Sequence, residues 1–330
     1  MRILLFLAAA VLIISSCSSQ KSIWQDEEID SRIAAEVQAV NMEVIRTFKY
    51  KNLMGLKELC HDSLWDNAKG SLRHLMWGSF SEFNDSMFSV FNQYMLKVDN
   101  GAIGTIQSFQ SADPETASPH DYTLRFKAME PEVYAIAGRF LHPEREFALV
   151  TFYGKQEGSW KLYNIQFGPI TVGGKDAWGW HEASQKRFEE GHILDATFDA
   201  DKSLQCMRPG NAQWEYSRQQ EIIDWQKEVL AKANEAYPMP MSVDYVESEP
   251  SILQIYPQRV DAGLTPVVVV LTELDDPSAV AEECGRIHEG IQKLFPGIDQ
   301  DRDFITYAVY QEQPSQYGDE PYETYYLFFK

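Results

Sequence analysis

Four consecutive stretches, Tyr122–Met129, Val133–Phe140, Glu146–Tyr153 and Trp160–Phe167, are rich in aromatic and β-branched residues and are parted only by turns carrying Pro, Gly and charge. Such residues suit a pleated, half-buried surface, and strands that follow one another this closely pair antiparallel. The last two stretches predict a hairpin around Gly154–Gly158. Trp160, Leu162 and Asn164 alternate only partly with Lys161, Tyr163 and Ile165, which predicts a sheet apolar on both faces, one of them covered by helices. Those helices come first. Ile33, Val37, Val40, Val44 and Phe48 form one apolar stripe behind a cap at Asp30 or Ser31. A shorter helix is expected over Leu53–Cys60, and a third over Ser81–Met95, burying Phe83, Met87, Phe91 and Tyr94. Helices followed by an antiparallel meander make residues 30–172 an α+β domain.

Gly173-Gly174 then interrupts the chain, and residues 173–240 read as a helical connector with helices over Trp178–Glu190, Ile193–Met207 and Ala212–Ala236. Ala183, Gly191, Ala196 and Pro209 resemble a tetratricopeptide hairpin, but no second copy follows and a solenoid needs about three. After Pro238-Met239-Pro240 a last module spans 241–330. Strands over Ile252–Tyr256 and Pro266–Thr272 precede a helix opened by Asp276-Pro277, with Val280, Cys284, Ile287, Ile291 and Leu294 inward. Strands over Phe304–Gln311 and Tyr322–Phe329 complete a β-β-α-β-β order, a small α/β sandwich. Val267–Leu271 is wholly apolar, so it is expected at the centre, covered on both faces.

At the other end, Arg2 is followed by an unbroken apolar run, Ile3–Ile14, and then by Ser15-Ser16-Cys17. The run is shorter than the roughly 20 residues that span a bilayer. It reads as a processing segment, 1–17, followed by a polar tether, 18–29. Ile14-Ser15-Ser16-Cys17 resembles the lipobox of bacterial lipoproteins. The resemblance implies cleavage before Cys17, lipid attachment at Cys17 and a membrane partner reached through that lipid. Asp26-Glu27-Glu28 resembles the acidic export tag of outer-membrane lipoproteins of the Bacteroidota, although it lies further behind the cysteine. The same acids equally suit the positive first turn of a helix. The outer membrane, on its periplasmic or outer face, is the favoured address.

The order of helices and then strands closing on Gly158-Ser159-Trp160-Lys161-Leu162-Tyr163-Asn164-Ile165-Gln166-Phe167 resembles the NTF2-like superfamily. That implies a curved sheet wrapped on helices as a cone, with a mouth able to hold a small molecule. His61 with Asp62 and His120 with Asp121 are the pairs such a cone could use. Neighbours on extended backbone point apart, however, and both pairs are expected as exposed loop residues. Trp65, Trp77, Phe80, Tyr153 and Tyr163 are candidate pocket linings, with plain core as the commoner role.

The net charge of −20 argues against nucleic acid and against a body lying on anionic lipid. Residues 241–330 hold 17 acidic and 5 basic residues, so the acidity gathers far from the anchor. Cys60, Cys206 and Cys284 allow at most one disulfide and no cysteine-built zinc site, and buried free thiols are expected. Asp299-Gln300-Asp301-Arg302-Asp303 starts like a calcium loop, yet Phe304 and Tyr310 replace the glycine and glutamate it needs. Tyr310, Tyr317, Tyr322, Tyr325 and Tyr326 suit either a contact surface or a sheet core. No cofactor or metal motif stands in the chain, nor any hydrolase or nucleotide signature. The expected role is a membrane-tethered envelope module binding a small ligand or another protein. The alternatives are a hydrolase, isomerase or dehydratase with its site in the cone, and a purely structural lipoprotein.

Overall fold

The computed structural model describes residues 22–79, 81–112, 118–143, 145–260, 263–300, 302–314 and 321–328. In chain order the elements are β1 (Ile23–Gln25), α1 (Ser31–Lys49), α2 (Leu53–Leu59), α3 (Asp62–Ser79), β2 (Phe88–Lys97), β3 (Ile106–Gln110), β4 (Tyr122–Lys127), β5 (Glu132–His142), β6 (Arg145–Gln156) and β7 (Ser159–Pro169). Then follow α4 (Ala177–Glu189), α5 (Ile193–Cys206), β8 (Trp214–Tyr216), α6 (Gln219–Ala236), β9 (Met241–Ser242), β10 (Ser251–Val260), β11 (Gly263–Leu271), α7 (Pro277–Leu294), β12 (Phe304–Tyr310) and β13 (Glu323–Phe328). The class is α+β, with mostly antiparallel sheets.

The first sheet runs β1-β2-β5-β6-β7, antiparallel throughout. Along β5 and β6 alternate residues go to opposite faces. Tyr134, Ile136, Leu149 and Tyr153 join Val37, Val44, Phe48, Leu72 and Met76 of α1 and α3. Val133, Ala135, Val150 and Phe152 join Phe126 of β4, Trp214 of β8, Trp178 of α4 and Ile222 of α6. Both faces are thus buried, which is why the alternation in the sequence is weak. Glu157 (φ 51) and Gly158 (φ 80) form the two-residue hairpin turn that joins β6 to β7, tighter than the five-residue loop expected.

Three expectations need correction. Ser81–Met95 is not a helix: Phe88–Lys97 is strand β2, with a bulge between Val90 and Asn92 that puts its apolar residues out of simple alternation. Ala212–Ala236 is not one helix, because Trp214–Tyr216 leaves it as β8 to pair with β4. Residues of the connector 173–240 pack on the first sheet, through Trp178, Cys206, Trp214 and Ile222, and on the α7 core, through Leu194 and Phe198. The tether is shorter than 18–29: Ile23, Trp24 and Gln25 already pair with β2, and the Asp26 carboxylate accepts from the Gln93 amide at 2.7 Å and from Asn92 Nδ2 at 3.1 Å. Asp26 both opens a short 3-10 turn, Asp26–Glu28, as the first-turn reading expects, and anchors β2. Three further elements, α3, β3 and β9, are additional to those expected.

Asp30 caps α1 by accepting from the Arg32 amide at 2.9 Å, and Asp276 caps α7 from the Ala279 amide, with Pro277 in the first turn. The second sheet runs β13-β12-β11-β10-β9. Its one parallel pair, β11 with β12, is bridged by α7. Val268, Val270, Ile305, Tyr307 and Val309 meet Val280, Cys284, Ile287 and Ile291 of that helix. β11 is central, and Val267 to Val270 are buried on both of its faces, Val268 and Val270 by the helix side. Helix α5 joins the bodies: Leu194 and Phe198 enter the α7 core, Ala196 and Ala200 pack on α6, and Cys206 reaches the first sheet.

Candidate functional site

The helix side of the first sheet, where the family resemblance implies a ligand-holding mouth, is filled with side chains. Phe48 stacks on Phe83 at 4.6 Å between centroids, Phe83 meets Phe140 and Phe167, and Tyr134 meets Trp160 edge-on. Most of its polar atoms are mutually bonded, while Asn41 Nδ2 and Trp160 Nε1 are buried with no partner among the described residues. Asn41 Oδ1 accepts from Thr151 Oγ1 at 2.9 Å and Tyr153 OH at 2.8 Å, and Gln93 Oε1 accepts from Tyr134 OH and Gln38 Nε2, both at 2.7 Å. Burial pushes the Tyr134 and Tyr153 phenols well above their ordinary range, so both are hydrogen-bond donors rather than acids.

The candidate residues scatter. Trp65 is half-buried, Trp77 is exposed under Arg73, Tyr153 lies in the helix-side core, and Tyr163 lies on the opposite face of the sheet. Phe80, Asp301 and the whole segment 1–17 with its lipidation candidate Cys17 lie outside the described residues. His120 is an exposed turn residue 3.3 Å from Asp176, while Asp121 accepts from the Ser118 amide at 2.6 Å within the same turn. These two make no dyad.

His61, expected on an exposed loop, is instead buried. Ser63 donates to its Nδ1 twice, from the hydroxyl at 2.7 Å and from the backbone amide at 3.1 Å, so Nδ1 carries no proton. Nε2–H then donates to Glu130 Oε1 at 3.0 Å. Gly154 admits Glu130, since a Cβ there would lie 2.7 Å from the Glu130 Cγ. A serine, an imidazole and a carboxylate stand in line, the order that activates a nucleophile. What the line lacks is an oxyanion site. The Ser63 amide is taken by His61 Nδ1, the Leu64 and Trp65 amides by the His61 carbonyl, and the Asp62 amide by Gln156 Oε1. With the first-turn amides engaged, His61 serves as the cap of α3. Asp62 points away to Gln156 Nε2 at 2.6 Å. No sequence pattern ties His61 to Glu130, 69 positions on.

Two open clefts adjoin along β3, of about 440 and 250 Å³, sharing Gln110 and Ala112. The larger is walled by Ile23, Gln25, Tyr94, Ser108 and Phe109. Behind it, Tyr94 OH donates to Tyr122 OH at 3.3 Å, and Tyr122 OH donates to Asn92 Oδ1 at 2.7 Å. Burial raises Tyr94 to about 12 and holds Tyr122 well above its ordinary value, so both stay neutral. The smaller cleft is polar, with Asp121 and the Arg125–Glu215 ion pair at 2.7 Å.

The aborted calcium loop does something else. Arg302 turns inward to pair with the buried Asp195 of α5, lies over the Phe198 ring at 5.6 Å and donates to the Ile298 carbonyl at 2.9 Å. Beside it the buried Asp199 accepts from Arg187 Nε at 2.9 Å and from Lys202 Nζ at 2.8 Å. Burial raises Asp195 despite Arg302 and lowers Lys202, so this cluster holds the bodies together at an electrostatic cost. Among the described residues no three His, Cys, Asp or Glu side chains gather as a metal site. Cys60, Cys206 and Cys284 are free, buried thiols, each pushed up to about 12 by burial. Comparison with known protein families, with curated proteins and with solved structures finds no match to this chain.

Proposed function

We propose that this chain is a lipid-anchored cell-envelope protein, attached through Cys17, whose folded body binds a small ligand or another envelope protein at the outer membrane. The anchor half rests on Ile3–Ile14 running into Ile14-Ser15-Ser16-Cys17. No helix among the described residues is long and apolar enough to cross a membrane. The binding half is carried by one observation: side chains fill both faces of the first sheet, so contact with a ligand falls to the clefts along β3 and to the second sheet. We also read residues 30–172 as NTF2-like. That reading is supported by three helices preceding the long β5-β6-β7 ladder and packing on one face of it. Cells fed labelled fatty acid should label the intact chain and not Cys17→Ala, and continued labelling of Cys17→Ala would refute the anchor. Cross-linking in intact cells should retrieve a stoichiometric partner or ligand, and none would refute the binding role.

A hydrolase reading is favoured by the Ser63–His61–Glu130 line alone. A fluorophosphonate probe should leave Ser63 unmodified. Labelling that Ser63→Ala abolishes would put the enzyme first.

A further inference from the structure

We infer that β13 is a docking edge for an extended, basic polypeptide segment, which adds to the second sheet as a sixth strand. Among the described strands β13 pairs only with β12, and it closes one end of the sheet. Free strand edges recruit further strands unless blocked by short length, lysine, proline or a bulge. Most of the other outermost strands illustrate such blocking: β1, β8 and β9 span two or three residues each, and Cys60 bridges to Leu162 on the outer side of β7, while β3, with five residues, is shorter than β13 and lies along the clefts. β13 has six residues, Glu-Thr-Tyr-Tyr-Leu-Phe, with no lysine or proline and an uninterrupted register to β12.

The face beside this edge is aromatic. Inward residues alternate with outward ones along β13: Tyr325 and Leu327 pack toward α7, while Tyr326 (58 % exposed) and Phe328 (65 %) stand outside. Phe304 of β12 completes a cluster of three rings, 6.0 Å from Tyr326 and 5.3 Å from Phe328. An added strand would lay alternate side chains against these rings while its backbone completes the ladder. Charge selects the occupant. Residues 241–330 hold 17 acids and 5 bases, and two of those bases are already engaged, Arg302 by Asp195 and Arg286 by Glu282 at 2.7 Å. A second copy would bring the same excess of negative charge to the edge, whereas a lysine-rich strand is attracted.

This rests on reading the body as a binding module but not on its lipid anchor. The test titrates the full chain into a fluorescent Lys-Val-Lys-Val-Lys-Val-Lys peptide, followed by anisotropy. Binding is expected, weakened about tenfold in roughly 0.5 M salt as screening predicts. An alternating Glu-Val peptide and a lysine peptide N-methylated on one edge should not bind, and Y326S/F328S should weaken binding at least about tenfold. A thermal melt confirms that this variant, altered only at exposed side chains, stays folded. No binding of the lysine peptide overturns the proposal, as does equal binding of the N-methylated peptide. Undiminished binding by the folded Y326S/F328S variant also overturns it while leaving a binding module elsewhere on the body. A dimer in sedimentation that the same variant dissolves would assign the edge to a second copy instead.

Discussion

The two five-stranded sheets are built on opposite plans. The first is covered on one face by α1–α3 and on the other by β3, β4, β8 and α4–α6, and even its small residues, Ala135 and Ala137, are fully buried. The second is covered by α7 on one face; the centre of its other face, Val267, Val269, Thr306 and Ala308, is buried as well, and it is the edge strand that carries Tyr326 and Phe328 outward. The contrast teaches where each can work. A sheet packed over its whole width holds the body together and leaves binding to its rim, whereas a sheet whose edge strand stands exposed keeps a surface to offer there. Equally large side chains should therefore have unequal thermodynamic weight. Phe152→Ala empties a site sealed on the first sheet and should cost about 4 kcal/mol of unfolding free energy. Phe328→Ala should cost less than about 0.5 kcal/mol. Urea midpoints of the two variants measure both, and similar costs would break the contrast.

The bodies meet at α5, and the next largest effect belongs there. Arg302→Ala leaves the Asp195 carboxylate buried without its cation, which should cost about 3 kcal/mol. Replacing both partners with apolar residues of similar size should recover most of the loss. A double variant as unstable as Arg302→Ala would mean that Arg302 acts by its packing on Phe198 rather than by its charge.

Buried hydroxyls sharpen the comparison at smaller scale. On the first sheet Asn41 serves two of them, so Asn41→Ala strands Thr151 and Tyr153 and should cost about 2 kcal/mol. On the second sheet Thr306 Oγ1 is buried with no partner among the described residues, so Thr306→Val should be neutral or stabilising by up to about 1 kcal/mol. A destabilising Thr306→Val would show that the face beside β13 holds a partner for that hydroxyl.

The sequence speaks most clearly where one physical demand acts alone. β4 to β7 are legible because aromatic and β-branched residues run unbroken between turns, and α7 because Asp276-Pro277 precedes a single stripe. β2 misleads because both its faces are apolar and a bulge shifts them, leaving Phe83, Met87, Phe91 and Tyr94 at helical spacing. β8 is hidden because three residues beside a helix carry no period, and only the partner strand β4 makes them a strand. The site is less legible still. His61 can be picked out as a histidine, but its burial and its bond to Glu130 arise from the turn between β4 and β5 meeting the start of α3. Likewise the acids around Arg302 suggest a cation loop until Asp195, from another helix, claims the arginine.

The smallest effect is a pH dependence in which each body contributes one histidine. His181 of α4 lies edge-on between Trp178 and Trp225, and burial holds its pKa below the usual 6.5 although Glu221 and Glu182 pull the other way. His288 of α7 accepts from Tyr307 OH at 3.1 Å and donates to the Phe328 carbonyl at 3.3 Å, and burial lowers it too. In the unfolded chain both protonate near 6.5, while in the folded chain they resist. Below 6.5 the unfolded state therefore binds more protons, and stability falls as pH drops from there toward the depressed folded values. Above 6.5 the contribution is complete and flat. Urea midpoints between pH 7.5 and 5 should decline by an amount that His181→Gln and His288→Gln each reduce. If His288→Gln alone removes the slope, the second sheet is the weaker body and opens first, as its exposed edge strand leads one to expect. If His181→Gln alone removes it, the first sheet is the weaker of the two, and packing over the whole width does not set the order of unfolding.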